Sequence, residues 1–224
     1  MKRSAFLLLG LLIAVAVPAF SAIESVSSDN PGSQPINPGW NLIALPAIPT
    51  SPAVADVLDE CPDALGIGYI YRWDTVAQGI KVYDMYNVED FGNMLITEGY
   101  WLQITGNDSS VISYEGITDN DDTDMWISLP KTGWTIIGCP FSYNVDWNAV
   151  EITDGTATVP LSTARNNSWL YTICYWWDSQ AGGLQQIGLD DDWVGDSTMR
   201  PWHGYWIQSL KDNLALIVEA VEET

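Results

Sequence analysis

The sequence predicts a mainly β protein built from two similar sandwich or barrel-like modules, and three observations support this prediction. First, the chain repeats itself: GWNLIALP at 39–46 returns as GWTIIGCP at 133–140, and GYWLQ at 99–103 returns as GYWIQ at 204–208. Second, short runs of β-branched and aromatic residues are bounded by Gly, Pro, Asn and Asp, which is typical of strands joined by turns. Third, 47% of the residues are hydrophobic, which is enough for a packed core.

The first copy is predicted to contain about five strands and one short helix. The helix is placed at 52–58, because Ser51 can cap it, Pro52 suits the first helical position, and Val54 and Val57 share a face. The predicted strands are 40–45, 69–73, 80–83, 100–104 and 111–114.

The second copy repeats this pattern with an insertion before its central strand. Its predicted helix is near 145–152. The predicted strands are 134–139, 171–177, 184–187, 205–209 and 214–218.

The first 22 residues are typical of a secretory signal peptide. Lys2 and Arg3 precede an apolar run at 6–17, which ends at the helix breaker Pro18 and a site of small residues. The run is shorter than the about 20 apolar residues of a transmembrane helix. We therefore expect cleavage near Ala22, export of the mature chain, and no membrane insertion after cleavage.

Composition divides the rest of the chain. Residues 23–36 are rich in Ser, Pro, Gly and Asn and are expected to form a flexible leader. The first module then spans 37–117, an acidic linker spans 118–124, and the second module spans 125–221.

The charge is strongly acidic, with 29 Asp and Glu against 8 Lys and Arg and a formal net charge of −21. Binding to nucleic acids or anionic membranes requires clustered basic residues, which this sequence lacks, so neither partner is expected. The densest acidic runs, 119–124 and 190–192, contain the oxygen ligands that Ca²⁺ prefers. Neither fits an EF-hand, so solvated loops without a cofactor are favoured over calcium sites.

The twelve Trp residues divide into two groups. Six are matched between the copies and are expected to fill the cores; these are Trp40, Trp73, Trp101, Trp134, Trp177 and Trp206. The other six all lie in the second copy. Among those, Trp169, Trp176, Trp193 and Trp202 are the candidate ligand-binding residues, because exposed Trp faces stack on sugar rings or on partner side chains. The alternative is that they form a larger core or an interface between the modules.

The sequence offers little for catalysis. His203 is the only histidine, it aligns with Glu98 at a turn before the GYW strand, and no nucleophile elbow is present. We therefore expect no enzymatic activity; a hydrolase with paired carboxylates is a remote alternative.

Three cysteines in an exported chain suggest one disulfide and one remaining thiol. Cys139 and Cys174 occupy the positions of Leu45 and Ile70 in the first copy, which are apolar. A Cys139–Cys174 disulfide and two buried thiols are both consistent with this placement.

The repeated motifs resemble a known module. GWNLI at 39–43, a central strand ending in Asp74, EGYWL at 98–102 and an apolar strand ending near Gly116 are similar to a module repeated in secreted and surface-layer-associated proteins of bacteria and archaea. The resemblance covers 37–221. It implies an accessory or structural extracellular domain without assigned catalytic residues.

We therefore expect a secreted, non-enzymatic structural or adhesive protein of the cell envelope or extracellular matrix. Its expected partner is a cell-surface protein, a matrix protein or a polysaccharide, and it can also self-associate. The alternative is a carbohydrate-binding protein that uses the surplus Trp residues of the second module.

Overall fold

A computed structural model describes residues 32–61, 69–106, 110–118, 122–188 and 195–220. Within these ranges the chain forms eighteen strands and three short α-helices, which confirms the predicted mainly β class. The proposed signal peptide at 1–22, the acidic run at 190–192 and Trp193 lie outside the described residues. None of the described helices has the length and hydrophobicity needed to cross a bilayer.

The first half of the chain forms one four-stranded antiparallel sheet, two strand pairs and two helices. The sheet contains β2 (Gly39–Ala44), β4 (Ile70–Asp74), β5 (Gly79–Val82) and β6 (Gly99–Ile104) in the order β2-β6-β4-β5. The pairs are β1 (Ser33–Ile36) with β7 (Ser110–Ser113), and β3 (Ile48–Pro49) with β8 (Gly116–Ile117). The helices are α1 (Val54–Val57) and α2 (Val88–Phe91).

The second half forms two four-stranded antiparallel sheets. One contains β10 (Gly133–Gly138), β14 (Ile173–Asp178), β15 (Gly183–Gly188) and β17 (Gly204–Ser209) in the order β10-β17-β14-β15. The other contains β9 (Met125–Leu129), β12 (Glu151–Thr153), β13 (Thr158–Pro160) and β18 (Leu214–Val218) in the order β13-β12-β18-β9. The remaining elements are the pair β11 (Val145–Asp146) with β16 (Thr198–Met199), a 3-10 helix (Trp147–Ala149) and α3 (Leu161–Asn166).

The sheet containing β2 and the sheet containing β10 have the same strand order and corresponding registers. Trp101 on β6 lies opposite Tyr71 on β4, and Trp206 on β17 lies opposite Tyr175 on β14. The hairpins that follow are also alike. Asp74 Oδ1 accepts hydrogen bonds from the backbone N–H groups two and three residues ahead, at 3.0 and 2.8 Å, and Asp178 Oδ1 does the same at 2.9 and 3.0 Å. These Asp residues stabilise the turns, as short polar side chains commonly do.

The tyrosine of each GYW motif is part of the core. Tyr100 and Tyr205 are both 0% exposed. Their hydroxyl oxygens accept hydrogen bonds from the backbone N–H groups of Leu95 and Arg200, each at 2.7 Å. This contact satisfies a buried hydroxyl and ties the segment before each GYW strand to the sheet.

The glycine of each GYW motif allows the two halves to meet closely. A Cβ added at Gly99 would lie 2.3 Å from Ile136 Cγ2 and 3.2 Å from the Cα of Gly204. A Cβ at Gly204 would lie 2.9 Å from the carbonyl oxygen of Ile43. Any side chain at these positions would push the two sheets apart.

Backbone hydrogen bonds join the halves at this contact in a reciprocal way. The N–H of Ala44 donates to the carbonyl of Trp202 at 3.0 Å, and the N–H of Gly138 donates to the carbonyl of Thr97 at 3.1 Å. In each bond the donor is the last residue of β2 or β10, and the acceptor lies in the segment before the GYW strand of the other half.

The buried residues form one hydrophobic cluster in each half. The second-half cluster takes residues from both of its four-stranded sheets, which therefore face each other across it. The first-half cluster takes residues from its four-stranded sheet, the β1–β7 pair and both helices, and it also includes Trp202 from the second half.

Two local predictions differ from the structure, and two helices were not predicted. The predicted leader 23–36 ends in strand β1, because Ile36 is 2% exposed and packs into the first-half cluster. The predicted helix at 145–152 is instead β11, the 3-10 helix and the start of β12. Helices α2 and α3 were not predicted.

Candidate aromatic binding clefts

Three Trp residues, a Tyr and an Ile form an open cleft on the sheet of the first half, with a volume of about 420 Å³. Its lining residues are Trp40, Tyr71, Ile80, Trp101 and Trp177. The rings of Trp40 and Trp101 are perpendicular, with centroids 6.0 Å apart, and Trp177 meets Trp101 at 5.5 Å and 67°. We call this the first cleft.

The second half carries a cleft of the same kind, with a volume of about 410 Å³. Its lining residues are Trp73, Trp134, Tyr175, Leu184 and Trp206. Trp134 and Trp206 meet at 6.1 Å and 85°, and Trp73 meets Trp206 at 5.2 Å and 71°. We call this the second cleft.

The sequence repeat relates the two clefts residue by residue. The pairs are Trp40 with Trp134, Tyr71 with Tyr175, Ile80 with Leu184, Trp101 with Trp206, and Trp177 with Trp73. In the last pair the halves are exchanged, because Trp177 of the second half lines the first cleft and Trp73 of the first half lines the second cleft. Each cleft therefore depends on both halves of the chain.

The expectation that the matched Trp residues fill the cores is wrong. Trp40 and Trp134 are each 38% exposed, and the other four are partly exposed. The reason is the alternation of side chains along a strand. On β6 the inward positions are taken by Tyr100 and Leu102, both 0% exposed, so Trp101 between them faces outward.

Trp177 and Trp73, which each line the cleft of the opposite half, differ in their hydrogen bonds. Trp177 Nε1 donates to the carbonyl of Trp40 at 2.7 Å. In the other cleft the corresponding carbonyl, that of Trp134, accepts from Gln78 Nε2 at 3.2 Å instead. Trp73 Nε1 is buried and has no hydrogen-bond partner within the described part of the chain.

The first and second clefts have a simple chemistry. Only aromatic and aliphatic side chains line them. They can make dispersion contacts and present the electron-rich faces of aromatic rings. Their lining side chains provide no carboxylate, amide or imidazole, and their polar groups are the hydroxyls of Tyr71 and Tyr175 and the indole N–H groups.

Two of the four predicted ligand-binding Trp residues lie together. Trp176 and Trp202 line a common cleft of about 290 Å³. Trp169 packs against the second-half core, and Lys211 Nζ lies 4.7 Å from its ring centroid. Trp193 lies outside the described residues. Trp202 is 8% exposed and meets Tyr114 edge-on at 5.7 Å, so most of its ring is used in the core.

We call the cleft that Trp176 lines the polar cleft, because Asn37, Asp178 and Ser179 are also among its lining residues. Trp176 meets the His203 ring at 5.2 Å and 76°. Asn37 Nδ2 donates to Ser179 Oγ at 2.7 Å.

His203 lies at the turn before the GYW strand of the second half. Burial lowers the pKa of His203, so its ring is neutral near pH 7. Its Nδ1 lies 2.9 Å from the carbonyl oxygen of Pro201. The ring therefore serves the turn before the GYW strand.

Cys139 and Cys174 are fully buried thiols and are not joined in a disulfide. Burial raises the pKa of the Cys174 thiol, which makes it a weak nucleophile. This arrangement is the second of the two that the sequence left open.

No group of three or more His, Cys, Asp or Glu within the described ranges is placed to hold a metal ion. Asp124, at the end of the predicted acidic linker, has a structural contact, since its Oδ1 accepts from the N–H of Ala220 at 3.0 Å. The acidic run 190–192 lies outside the described residues, so the expectation of a solvated loop without calcium there stays a prediction.

Sequence repeats could have located the first and second clefts, since every lining residue has a counterpart at the corresponding position. The repeat alone does not reveal which face of a strand is buried. No family model, curated protein or solved structure matches this chain.

Proposed function

We propose that this protein is a secreted, non-enzymatic adhesive protein that holds a cell-envelope or matrix partner in the first and second clefts. The observation that carries the proposal is the presence of two corresponding clefts, each lined by three partly exposed Trp residues. Large aromatic side chains exposed together mark binding surfaces, because leaving them in water is unfavourable.

The proposal includes a tandem duplication of one β module, with residues 37–117 and 125–221 as its copies. The shared strand order, the corresponding cross-strand pairs and the paired Asp turns of the two sheets support it. The reciprocal hydrogen bonds of Ala44 and Gly138 further support a two-fold relationship between the copies.

Two corresponding sites on one chain suit adhesion. A partner that presents repeated groups can occupy both clefts, and the second contact then forms at a high effective concentration. Such a protein can bind a surface firmly although each single contact is weak. Secretion, which the predicted signal peptide implies, places the clefts where such a surface is available.

The chemistry of the clefts favours binding over catalysis. Their lining side chains include no carboxylate, imidazole, thiol or amine. His203 lies outside both clefts, and burial keeps its pKa low.

Carbohydrate binding is the second candidate function, and the polar cleft favours it. Trp176 offers an aromatic face there, while Asn37, Asp178 and Gln180 offer hydrogen-bonding groups for sugar hydroxyls. Of the two predicted Trp residues that line this cleft, Trp176 is suited to stacking, because Trp202 is largely buried.

Envelope binding tests the main proposal. The mature protein is applied to cell envelopes of the organism that makes it, and the bound fraction is compared with that of the Trp40→Ala/Trp134→Ala variant. Trp126→Ala is the matched control, because Trp126 is 60% exposed and lines neither cleft. We expect the double variant to lose binding and the control to keep it; equal binding by all three would overturn the proposal.

The same assay separates the second candidate function. A Trp176→Ala variant alters the polar cleft and leaves the lining of the first and second clefts intact. If soluble polysaccharide competes for binding and Trp176→Ala alone removes the competition, the polar cleft is the sugar site.

A further inference from the structure

We propose that the first and second clefts each bind a quaternary ammonium group carried by a small molecule. This inference rests on the proposed role of the clefts as binding sites and names the chemistry that they recognise. The ring geometry, the mainly apolar lining and the acidic charge of the chain support it.

The rings form the walls of a corner. Trp40 and Trp101 stand at 90° in the first cleft, and Trp134 and Trp206 stand at 85° in the second. Rings in this arrangement direct their faces toward a shared space from different sides, which suits a rounded group. A flat sugar ring would instead stack on one broad face.

The lining side chains select against ligands that need hydrogen bonds. Sugar hydroxyls and primary ammonium groups lose their hydrogen bonds to water when they enter a cleft. The lining replaces few of those bonds, because its polar groups are one tyrosine hydroxyl and three indole N–H groups in each cleft. A quaternary ammonium group has no N–H to satisfy. Its methyl groups pack against the rings, and its positive charge is attracted to their faces.

The charge of the chain favours a cation. The formal net charge is −21, and no Lys or Arg lines either cleft. An acidic protein with aromatic clefts attracts cations and repels anions.

The number of sites follows from the repeat. Because each lining residue of one cleft has its counterpart in the other, a small cation should find two sites of similar affinity on one chain. The exchange of Trp177 and Trp73 between the halves means that both sites require the two halves to be packed together.

Choline and its neutral isostere 3,3-dimethylbutan-1-ol provide the test, since the two share a shape and differ in charge. Each is titrated into the mature protein while Trp fluorescence and heat are measured. We expect choline to bind at two sites per chain. The affinity of the isostere should be lower by a factor of about ten or more, since it lacks the cation–π attraction.

Single variants assign the sites. Trp40→Ala and Trp134→Ala should each leave one choline site, their combination should leave none, and Trp126→Ala should keep both. Circular dichroism checks that every variant is folded. Loss of both sites in Trp126→Ala, or two sites in the double variant, would place choline binding elsewhere and overturn the inference.

The remaining outcomes separate this inference from the proposed function. If the isostere binds as tightly as choline, or if neither binds while envelope binding still requires Trp40 and Trp134, the inference is wrong and the adhesive role stands. Vesicles of phosphatidylcholine and a trimethyllysine peptide test other sources of the same group. Binding to either of them without binding to free choline would overturn the assignment to a small molecule.

Discussion

Arg72 and Glu98 form an ion pair at the positions that Trp176 and His203 occupy in the second half of the chain. Arg72 Nη2 lies 2.9 Å from Glu98 Oε1, and the rings of Trp176 and His203 lie 5.2 Å apart. Both pairs join the central strand to the turn before the GYW strand. A charged contact in one half therefore corresponds to an aromatic contact in the other.

This correspondence predicts that replacing both residues of the Arg72–Glu98 pair by their second-half counterparts is less destabilising than replacing one of them. Arg72→Trp alone removes the partner of Glu98, whose pKa is raised by burial, and should lower the free energy of unfolding by about 2 kcal/mol. Arg72→Trp/Glu98→His should recover about half of that loss. Recovery is incomplete because Arg72 Nη1 also donates to the carbonyl of Phe91 at 2.7 Å. Urea denaturation measures both variants, and a double variant less stable than the single one would contradict the prediction.

Gly99 is expected to tolerate no side chain. Gly99→Ala places a Cβ against Ile136 and the neighbouring sheet, and it should lower the free energy of unfolding by about 2 to 3 kcal/mol. Gly183→Ala is the control, because a Cβ at that glycine meets nothing within 4 Å. Thermal or urea unfolding compares the two; equal stability would mean that the halves do not meet at Gly99.

Thr135→Val is expected to stabilise the protein. Thr135 is 2% exposed, and its hydroxyl has no hydrogen-bond partner among the described residues. Replacing it with a methyl group removes an unpaired buried polar atom and should add about 1 kcal/mol to the free energy of unfolding. Thr153→Val should lower the free energy of unfolding instead, because it removes the hydrogen bond that Thr153 Oγ1 donates to the carbonyl of Ala157 at 2.8 Å. Destabilisation by both substitutions would show that Thr135 has a partner in solution.

The lowered pKa of His203 predicts that the folded protein loses stability in mild acid. Burial lowers the pKa of His203 in the folded state, so the unfolded chain binds the proton more readily. Its contribution is complete above the unfolded pKa of about 6.5 and declines as the pH falls from there to the folded pKa. Glu98 has the opposite sign at lower pH, since its pKa is raised by burial.

Replacing the ring isolates this effect. His203→Phe keeps an aromatic ring beside Trp176 and removes the titrating group. We expect its free energy of unfolding to change less between pH 7 and pH 5 than that of the wild type. Parallel pH profiles for the two proteins would rule out His203 as the source.

The strand pattern could be predicted because the motifs mark where strands start. Strand β18 matches the predicted 214–218, and β6 begins one residue before the predicted 100–104, at the glycine that approaches the other half. The helix at 145–152 was misplaced. There Trp147 is fully buried and its Nε1 donates to the carbonyl of Thr172 at 2.7 Å, a long-range contact that no local pattern reveals.

The binding surface was harder to predict than the fold. Side chains on a strand alternate between two faces, so a repeated Trp can face either the core or the surface. Trp101 is assigned to the outer face because its neighbours Tyr100 and Leu102 are buried. Surplus Trp residues looked available for ligands, but Trp147 and Trp202 fill the cores of the two halves. Trp73 and Trp177 each line the cleft of the other half because of how the two halves pack, and the sequence does not reveal that packing.

The equivalence of the two clefts is tested most directly by envelope binding of the two single variants. Because both clefts contribute alike, Trp40→Ala and Trp134→Ala should each lose avidity by a similar factor, at least about tenfold relative to the wild type. The contradicting result is one single variant that binds like the wild type while the other has lost binding completely, because the partner would then occupy one cleft only.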